Sequence, residues 1–261
     1  MDPNLKVIAL AGRLRACRNV TTLGVKTNFA DYSPAEQALI CRAPTIYYPT
    51  PFYAELFDTI GKKTFPSYHT YKCVQDKIKQ SALFALTGIP QPRTRVFYGR
   101  RQKSTVGDYF KFPLVAKIPR GSALGRGVFL IRNAAELQRF LARPHPALIQ
   151  EYIPLKRDIR VVVIGPRIAH AYWRINPAQD FRSNVALGGR IGLEPLPAAA
   201  RALALRTAQC CGWDDVGLDL CESKGEFLVL EANMNYGRQG FKAAGIDYID
   251  LMERLIENGD I

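Results

Sequence analysis

Three oxygen-bearing side chains stand where apolar ones are expected. Asp219 interrupts Val216-Gly217-Leu218-Asp219-Leu220, and Glu231 and Asn233 fall in Leu230-Glu231-Ala232-Asn233. Residues i and i+2 of an extended strand share a face, so Glu231 and Asn233 point the same way. If the two segments are antiparallel neighbours, all three donors converge. Two buried carboxylates side by side are costly unless a cation sits between them. Hard oxygen donors without imidazole or thiolate fit Mg2+ or Mn2+. The competing reading is a set of turn-proximal acids facing water.

A second feature is Lys117 in Val115-Ala116-Lys117-Ile118. A lysine in an apolar strand must meet an anion or extend its amine to solvent. Shortly after it runs Gly121-Ser122-Ala123-Leu124-Gly125-Arg126-Gly127. That spacing is neither the P-loop nor the dinucleotide fingerprint. Its exposed backbone N–H groups can still approach phosphate closely, although an ordinary hairpin turn would use the same glycines. A third group comprises Asp158-Ile159-Arg160, Arg174 and Asp180-Phe181-Arg182-Ser183-Asn184. Such arginines could clamp a polyphosphate and stabilise charge developing during transfer; a salt-bridged surface is the alternative. No G-x-S-x-G elbow is present, so covalent hydrolase chemistry has no support.

The elements that must position these groups are legible in outline. Residues 6–11 and 45–48 read as strands, whereas 21–29 is ambiguous. Ser33-Pro34 with Glu36 opens a helix, as N-cap, first-turn proline and capping-box partner. Residues 52–60 show helical apolar spacing through Phe52, Leu56, Phe57 and Ile60, and the aromatics Tyr47, Tyr48, Phe52 and Tyr53 are read as core. Together these predict a small open α/β unit up to about residue 67. One helix is expected over 71–88. Strands are expected at 94–98, 112–118, 128–132 and 147–152, with a helix at 134–141. Strands 160–164 and 168–174 form a hairpin about Gly165-Pro166. A helix at 197–211, strands at 216–221 and 227–232, and a helix at 248–257 complete the chain.

Composition narrows the class. Hydrophobic residues at 48% and charged residues at 23% of 261 are globular values, which argues against disorder. No apolar run is long enough to span a bilayer or serve as a signal-peptide core. Cys17, Cys41, Cys73, Cys210, Cys211 and Cys221 show no C-x-x-C pair or disulfide framework, so a reducing, cytoplasmic setting is expected. The net charge is +13, and the first 110 residues hold 16 basic against 7 acidic groups. Phosphates, nucleotides, nucleic acid or acidic proteins are the partners such a surface attracts.

In order and spacing, these pieces resemble the ATP-grasp superfamily, and within it the RimK-type ligases that add glutamate to a carboxyl terminus. The resemblance spans residues 45–247. It is carried by Asp76-Lys77, the strand holding Lys117, the glycine stretch, Ile149-Gln150-Glu151-Tyr152-Ile153, Asp158-Ile159-Arg160, residues 180–184 with Gly188-Gly189, and the segments around Asp219 and Glu231. The chain departs from the RimK pattern in three places flanking the acceptor pocket. Ala186-Leu187 replace a basic pair, the glycine stretch is one residue longer, and Met234-Asn235-Tyr236-Gly237-Arg238 follows Asn233.

The resemblance implies an α/β (α+β) ATP-grasp fold: a short N-terminal domain over 1–68, a central subdomain with a glycine-rich lid over 69–149, and a C-terminal subdomain with the metal site over 150–261. It implies that Lys77 and Lys117 contact ATP phosphates beneath a lid containing Gly121, Ser122, Gly125 and Gly127. Gln150, Glu151, Tyr152 and Ile153 would hold adenine, and Asp158 the ribose. Ser183 and Asn184 would line the nucleotide site with Arg182, while Arg160 and Arg174 stabilise charge. Asp219, Glu231 and Asn233 would hold two Mg2+ (or Mn2+) ions. The implied reaction turns a carboxylate into an acyl phosphate, from which an amine displaces phosphate to form an amide. Substrates would be a small-molecule or peptide carboxylate and an amino acid, and an acidic protein tail suits the basic N-terminal region. A homo-oligomer is compatible with the sequence. The alternatives are a kinase on the same fold, a basic nucleic-acid-binding module, which lacks an RNA-binding signature, and a nucleotide-binding protein without turnover.

Overall fold

The computed structural model describes residues 7–121, 127–177 and 188–261; Ser122, Gly125, Arg182, Ser183 and Asn184 lie outside the described residues. The first sheet is wholly parallel, in the order β2-β1-β3-β4, built from β1 (Val7–Ala9), β2 (Val20–Thr22), β3 (Thr45–Tyr47) and β4 (Lys63–Phe65). Helices α1 (Pro34–Arg42) and α2 (Pro51–Thr59) make the crossovers. Ser33 accepts from Glu36 N–H while the Glu36 carboxylate accepts from Ser33 N–H, closing the expected capping box. Strand β2 takes in only the first two residues of the ambiguous stretch 21–29, most of which is loop; three residues are too few to display a period. Helix α2 buries Tyr53, Ala54 and Phe57 and leaves Phe52, Leu56 and Ile60 exposed. The reading of Phe52 as core is therefore corrected: the apolar residues of this helix occupy two faces, and the sheet can cover only one.

The single helix expected over 71–88 is two, α3 (Tyr68–Val74) and α4 (Lys77–Thr87). Asp76 breaks the run by taking an extended conformation and accepting from the N–H groups of Ile78 and Lys79. A capping carboxylate satisfies donors that a continuous helix would have used internally. Gly88 closes α4 at φ 64°, a left-handed conformation open to glycine without a Cβ clash.

The second sheet is antiparallel, in the order β5-β8-β6-β7. Its strands are β5 (Thr94–Phe97), β6 (Leu114–Lys117), β7 (Val128–Ile131) and β8 (Ala147–Glu151). Short helices α5 (Gly99–Lys103) and α6 (Val106–Tyr109) follow β5, and α7 (Ala134–Leu141) precedes β8. Phe97, Leu114, Ala116, Phe140 and Ile149 form its core.

The third sheet, also antiparallel, has the order β11-β10-β9-β12-β13. Its strands are β9 (Arg157–Ile164), β10 (Arg167–Ile175), β11 (Arg190–Gly192), β12 (Asp215–Ser223) and β13 (Glu226–Asn233). Helix α8 (Ala198–Cys211) lies between β11 and β12 in sequence, and α9 (Gln239–Ala243) and α10 (Tyr248–Glu257) end the chain. The two faces of this sheet differ. Ile159, Val161, Val163, Leu218 and Leu220 pack with Leu203 and Ala204 of α8 and Phe84 of α4. On the opposite face, Val162 and Ile164 share a core with Met252 of α10 and with Ala9 and Tyr47 of the first sheet. The rest of that face carries charge. Among the described residues, no helix is long and apolar enough to cross a membrane.

Candidate active site

Strands β12 and β13 are the antiparallel neighbours that convergence requires, with Asp219 opposite Glu231 and Gly217 opposite Asn233. Beyond Asp219 the register slips: Leu220 pairs with Val229, leaving Leu230 as an extra residue. Such a bulge re-aims the residues beside it. The Leu230 carbonyl turns toward the second sheet and accepts from Lys117 Nζ at 3.3 Å.

Asp219 and its partners are buried. Arg160 grips the carboxylate with two donors, Nε to Oδ1 and Nη2 to Oδ2, the latter at 3.0 Å. Arg174 adds Nη2 at 3.0 Å from Oδ2. It also forks onto Asp158, with Nε–Oδ1 at 2.7 Å and Nη2–Oδ2 at 2.6 Å. Acid and base thus alternate across three strands: Asp158, Arg174, Asp219, Arg160. Planar guanidinium forks make this arrangement, which a lysine could not reproduce. Burial alone would raise the Asp219 carboxyl pKa, but the two arginines hold it below the ordinary aspartate range. Against burial, Asp158 and Asp219 push the Arg174 pKa upward.

Glu231 is met from the other side by Lys77 of α4, with Nζ–Oε1 at 3.0 Å. Lys117 is also buried, and burial pushes its amine below the ordinary lysine range; Glu231 opposes that shift and Lys77 adds to it. These lysines border a narrow cleft between β8 and β13, lined also by Gln80, Leu148, Gln150 and Leu230. Gln150 is buried and donates to Thr94 Oγ1 at 2.9 Å. The Glu151 carboxylate accepts from Arg93 N–H at 2.7 Å, so its side chain secures the entry to β5. Tyr152 and Ile153 follow, half-buried, at the exit of β8. Gly121 and Gly127 bound the glycine stretch, and the Gly127 carbonyl accepts from Ile118 N–H at 2.8 Å.

Two contributors escaped the sequence reading. Gln80 brackets the Ala232 peptide, donating to its carbonyl and accepting from its N–H, both at 2.9 Å. This clips α4 to the strand between Glu231 and Asn233. Its spacing from Lys77, three residues along a helix, was the available signal. Arg120 Nε lies 2.6 Å from Asp76 Oδ2, and Lys77 N–H donates to the Pro119 carbonyl at 3.1 Å. These contacts tie the start of α4 to the end of β6.

Asp219, Glu231 and Asn233 carry hard oxygen atoms, the donor type that Mg2+ and Mn2+ take. Among the described residues no group of three His, Cys, Asp or Glu side chains is placed to hold a metal ion, and the register sets Asn233 two positions beyond Glu231 on the same strand face. Each carboxylate is held by cationic side chains that neutralise the same charge a metal ion would.

The three-sheet framework is that of the ATP-grasp proteins. The model for the RimK-like ATP-grasp domain matches residues 74–257, and the chain belongs to that family. The chain is 34% identical over 209 residues to a probable alpha-L-glutamate ligase of Citrobacter koseri, covering 77% of this chain and 69% of that one. It is equally identical, over 212 residues and with the same coverage, to the ribosomal protein bS6–L-glutamate ligase of Salmonella paratyphi B. The crystal structure of a RimK-domain ATP-grasp protein from Sphaerobacter thermophilus superposes with a TM-score of 0.70 at 20% identity, covering 95% of this chain and 98% of that one. The family and its named relatives support an ATP-dependent, ADP-forming carboxylate–amine ligase activity.

Proposed function

We propose that this ligase activates a carboxylate of a protein or peptide and joins it to the amine of an amino acid, with glutamate the first candidate. The relatives' names support the choice of amine and acceptor. The observation that carries the reading is a pair of cation-held carboxylates opposite each other on neighbouring strands: Glu231, paired with Lys77 and felt by the buried Lys117, and Asp219, gripped by Arg160 and Arg174.

Phosphoryl transfer to a carboxylate needs positioning and positive charge more than a covalent nucleophile. Lys77 and Lys117 hold the ATP phosphates, with Ser122, Gly125 and the glycine backbone from Gly121 to Gly127 covering them. Gln150, with the segment at Glu151, Tyr152 and Ile153, receives adenine, and Asp158 and the 182–184 segment (Arg182, Ser183, Asn184) complete the nucleotide site. Asp219, Glu231 and Asn233 are the residues that would hold two Mg2+ or Mn2+ ions, which neutralise phosphate charge when bound. The substrate carboxylate attacks the γ-phosphorus and ADP leaves. The incoming amine then displaces phosphate from the acyl phosphate and loses a proton, giving the amide. Arg160 and Arg174 stabilise the charge on the reacting oxygens. Lys77 is paired with Glu231; a divalent cation held by Glu231 would replace the lysine there and leave its amine to phosphate.

The test is ADP formation from ATP and Mg2+ in the presence of glutamate and a glutamate-terminated peptide. ADP should appear only when both are supplied, and mass spectrometry should find the peptide heavier by one glutamyl residue. A stable phosphorylated product without amide would make the chain a kinase. No stimulation by any acid–amine pair would refute the ligase reading.

A further inference from the structure

In an open parallel sheet, ligands occupy the crevice beyond the carboxyl ends of the two strands where the order reverses. In the order β2-β1-β3-β4, those strands are β1 and β3. Arg13 and Tyr48 stand just past their ends, and here the chain fills the crevice itself. The Arg13 guanidinium lies over the rings of Tyr48, Tyr236 and Tyr248, at 5.2, 4.8 and 5.5 Å from their centroids. Beneath it the fully buried Asp215 carboxylate accepts from Tyr48 Oη at 2.9 Å and from Tyr236 Oη at 2.6 Å. Tyr48 holds φ 43°, a left-handed backbone that a bulky residue adopts only when its surroundings enforce it.

Tyr236 leads from this cluster into the active site. Its carbonyl accepts from Arg160 Nη1 at 3.1 Å, while the same guanidinium grips Asp219. Gly217 lies beneath both: a Cβ there would collide with Tyr236 and press on Arg160. We propose that Tyr236 is a positioning residue, pinned by its hydroxyl in the crevice of the first sheet and using its own carbonyl to set the guanidinium that presents Asp219. The N-terminal sheet is thereby a structural part of the metal–nucleotide site. The inference rests on the nucleotide reading above.

Tyr48 and Tyr236 form a comparable pair, since each donates a hydrogen bond to Asp215 from a buried ring; Tyr236 Oη also shares a long bond of 3.3 Å with Tyr248 Oη, and of the two only Tyr236 touches Arg160. The experiment compares Tyr236→Phe and Tyr48→Phe by thermal unfolding and by AMPPNP affinity, measured calorimetrically with Mg2+ and with EDTA. Both variants should lose similar thermal stability. Tyr236→Phe should weaken AMPPNP about tenfold in Mg2+, the scale of lost outer-shell support, and change it less than about twofold in EDTA. Tyr48→Phe should stay within about twofold in both buffers. Gly217→Ala, if it folds, should weaken the Mg2+ complex at least as much as Tyr236→Phe. Equal Mg2+-dependent losses in the two phenylalanine variants, or none in Tyr236→Phe, would reduce the cluster to an anchor and overturn the proposal. Wild-type protein that binds no AMPPNP in either buffer would remove the nucleotide reading and this inference with it.

Discussion

Strand β12 carries two buried aspartates on one face, four residues apart, and the chain treats them in opposite ways. Asp219 faces two arginines, which hold it ionised below the ordinary range. Asp215 faces two tyrosine hydroxyls and a more distant guanidinium, with Arg13 Nη2 at 3.9 Å. Burial raises its carboxyl above the ordinary range despite Arg13 and those hydroxyls, which pull the other way. Burial is common to both, so the partners make the difference. Charged forks keep a carboxylate ready to exchange one cation for another, whereas neutral hydroxyls make a fixed joint.

The sharpest way to break this comparison is Asp219→Asn. It should lower ADP formation on the order of 100-fold or more, since a charge that positions the reacting groups is lost. Leaving Arg160 and Arg174 without that carboxylate should also cost about 3–5 kcal/mol, read from urea unfolding. Full activity in that variant would contradict the metal assignment. Asp215→Asn should cost about 1–3 kcal/mol and alter ADP formation far less. An activity loss as large as that of Asp219→Asn would erase the distinction.

The pH dependence sharpens it further. A carboxyl whose pKa is raised on folding binds its proton more tightly in the native state. Its contribution to stability is complete below the unfolded value of about 3.9 and is lost as pH rises through the higher native value. Asp215→Asn should therefore gain on wild type as pH rises above about 4, measured as the difference in unfolding free energy across pH. A constant difference, or one that widens in favour of wild type, would mean that folding does not raise the Asp215 pKa.

The smallest effect is expected at the surface. Lys62 donates to the Cys41 and Ala43 carbonyls, at 3.1 and 2.7 Å, and so caps α1; Lys63 is exposed on β4. Lys63→Glu should raise the KM for a glutamate-terminated peptide about twofold and leave that for ATP unchanged, because exposed charges are screened. No change in either would remove the electrostatic case for an acidic acceptor.

Much of this arrangement was readable in residue order. Asp219, Glu231 and Asn233 announced themselves as oxygen donors in apolar strands, and the α7, α8 and α10 segments followed from periodicity and end signals. The failures share a cause, in that each depended on contacts distant in sequence. The break at Asp76 is fixed by Arg120 and Pro119 from the far end of β6. The register reversal at Leu230 is invisible to strict alternation, which would place Val229 and Glu231 together. Arg13 read as one more positive charge, yet its setting comes from Tyr236 and Tyr248, more than 200 positions later.

The extra residue at Leu230 also acts as a frame setter. Val229 and Ala232 both enter the core under α8, an odd step that a regular strand forbids. Excising that one leucine would leave Val229 and Glu231 consecutive in a regular ladder, each still on its present face, and would remove the main-chain carbonyl that meets Lys117. A deletion touching no proposed ligand would thus strip the buried Lys117 of that acceptor while leaving the donors on their face.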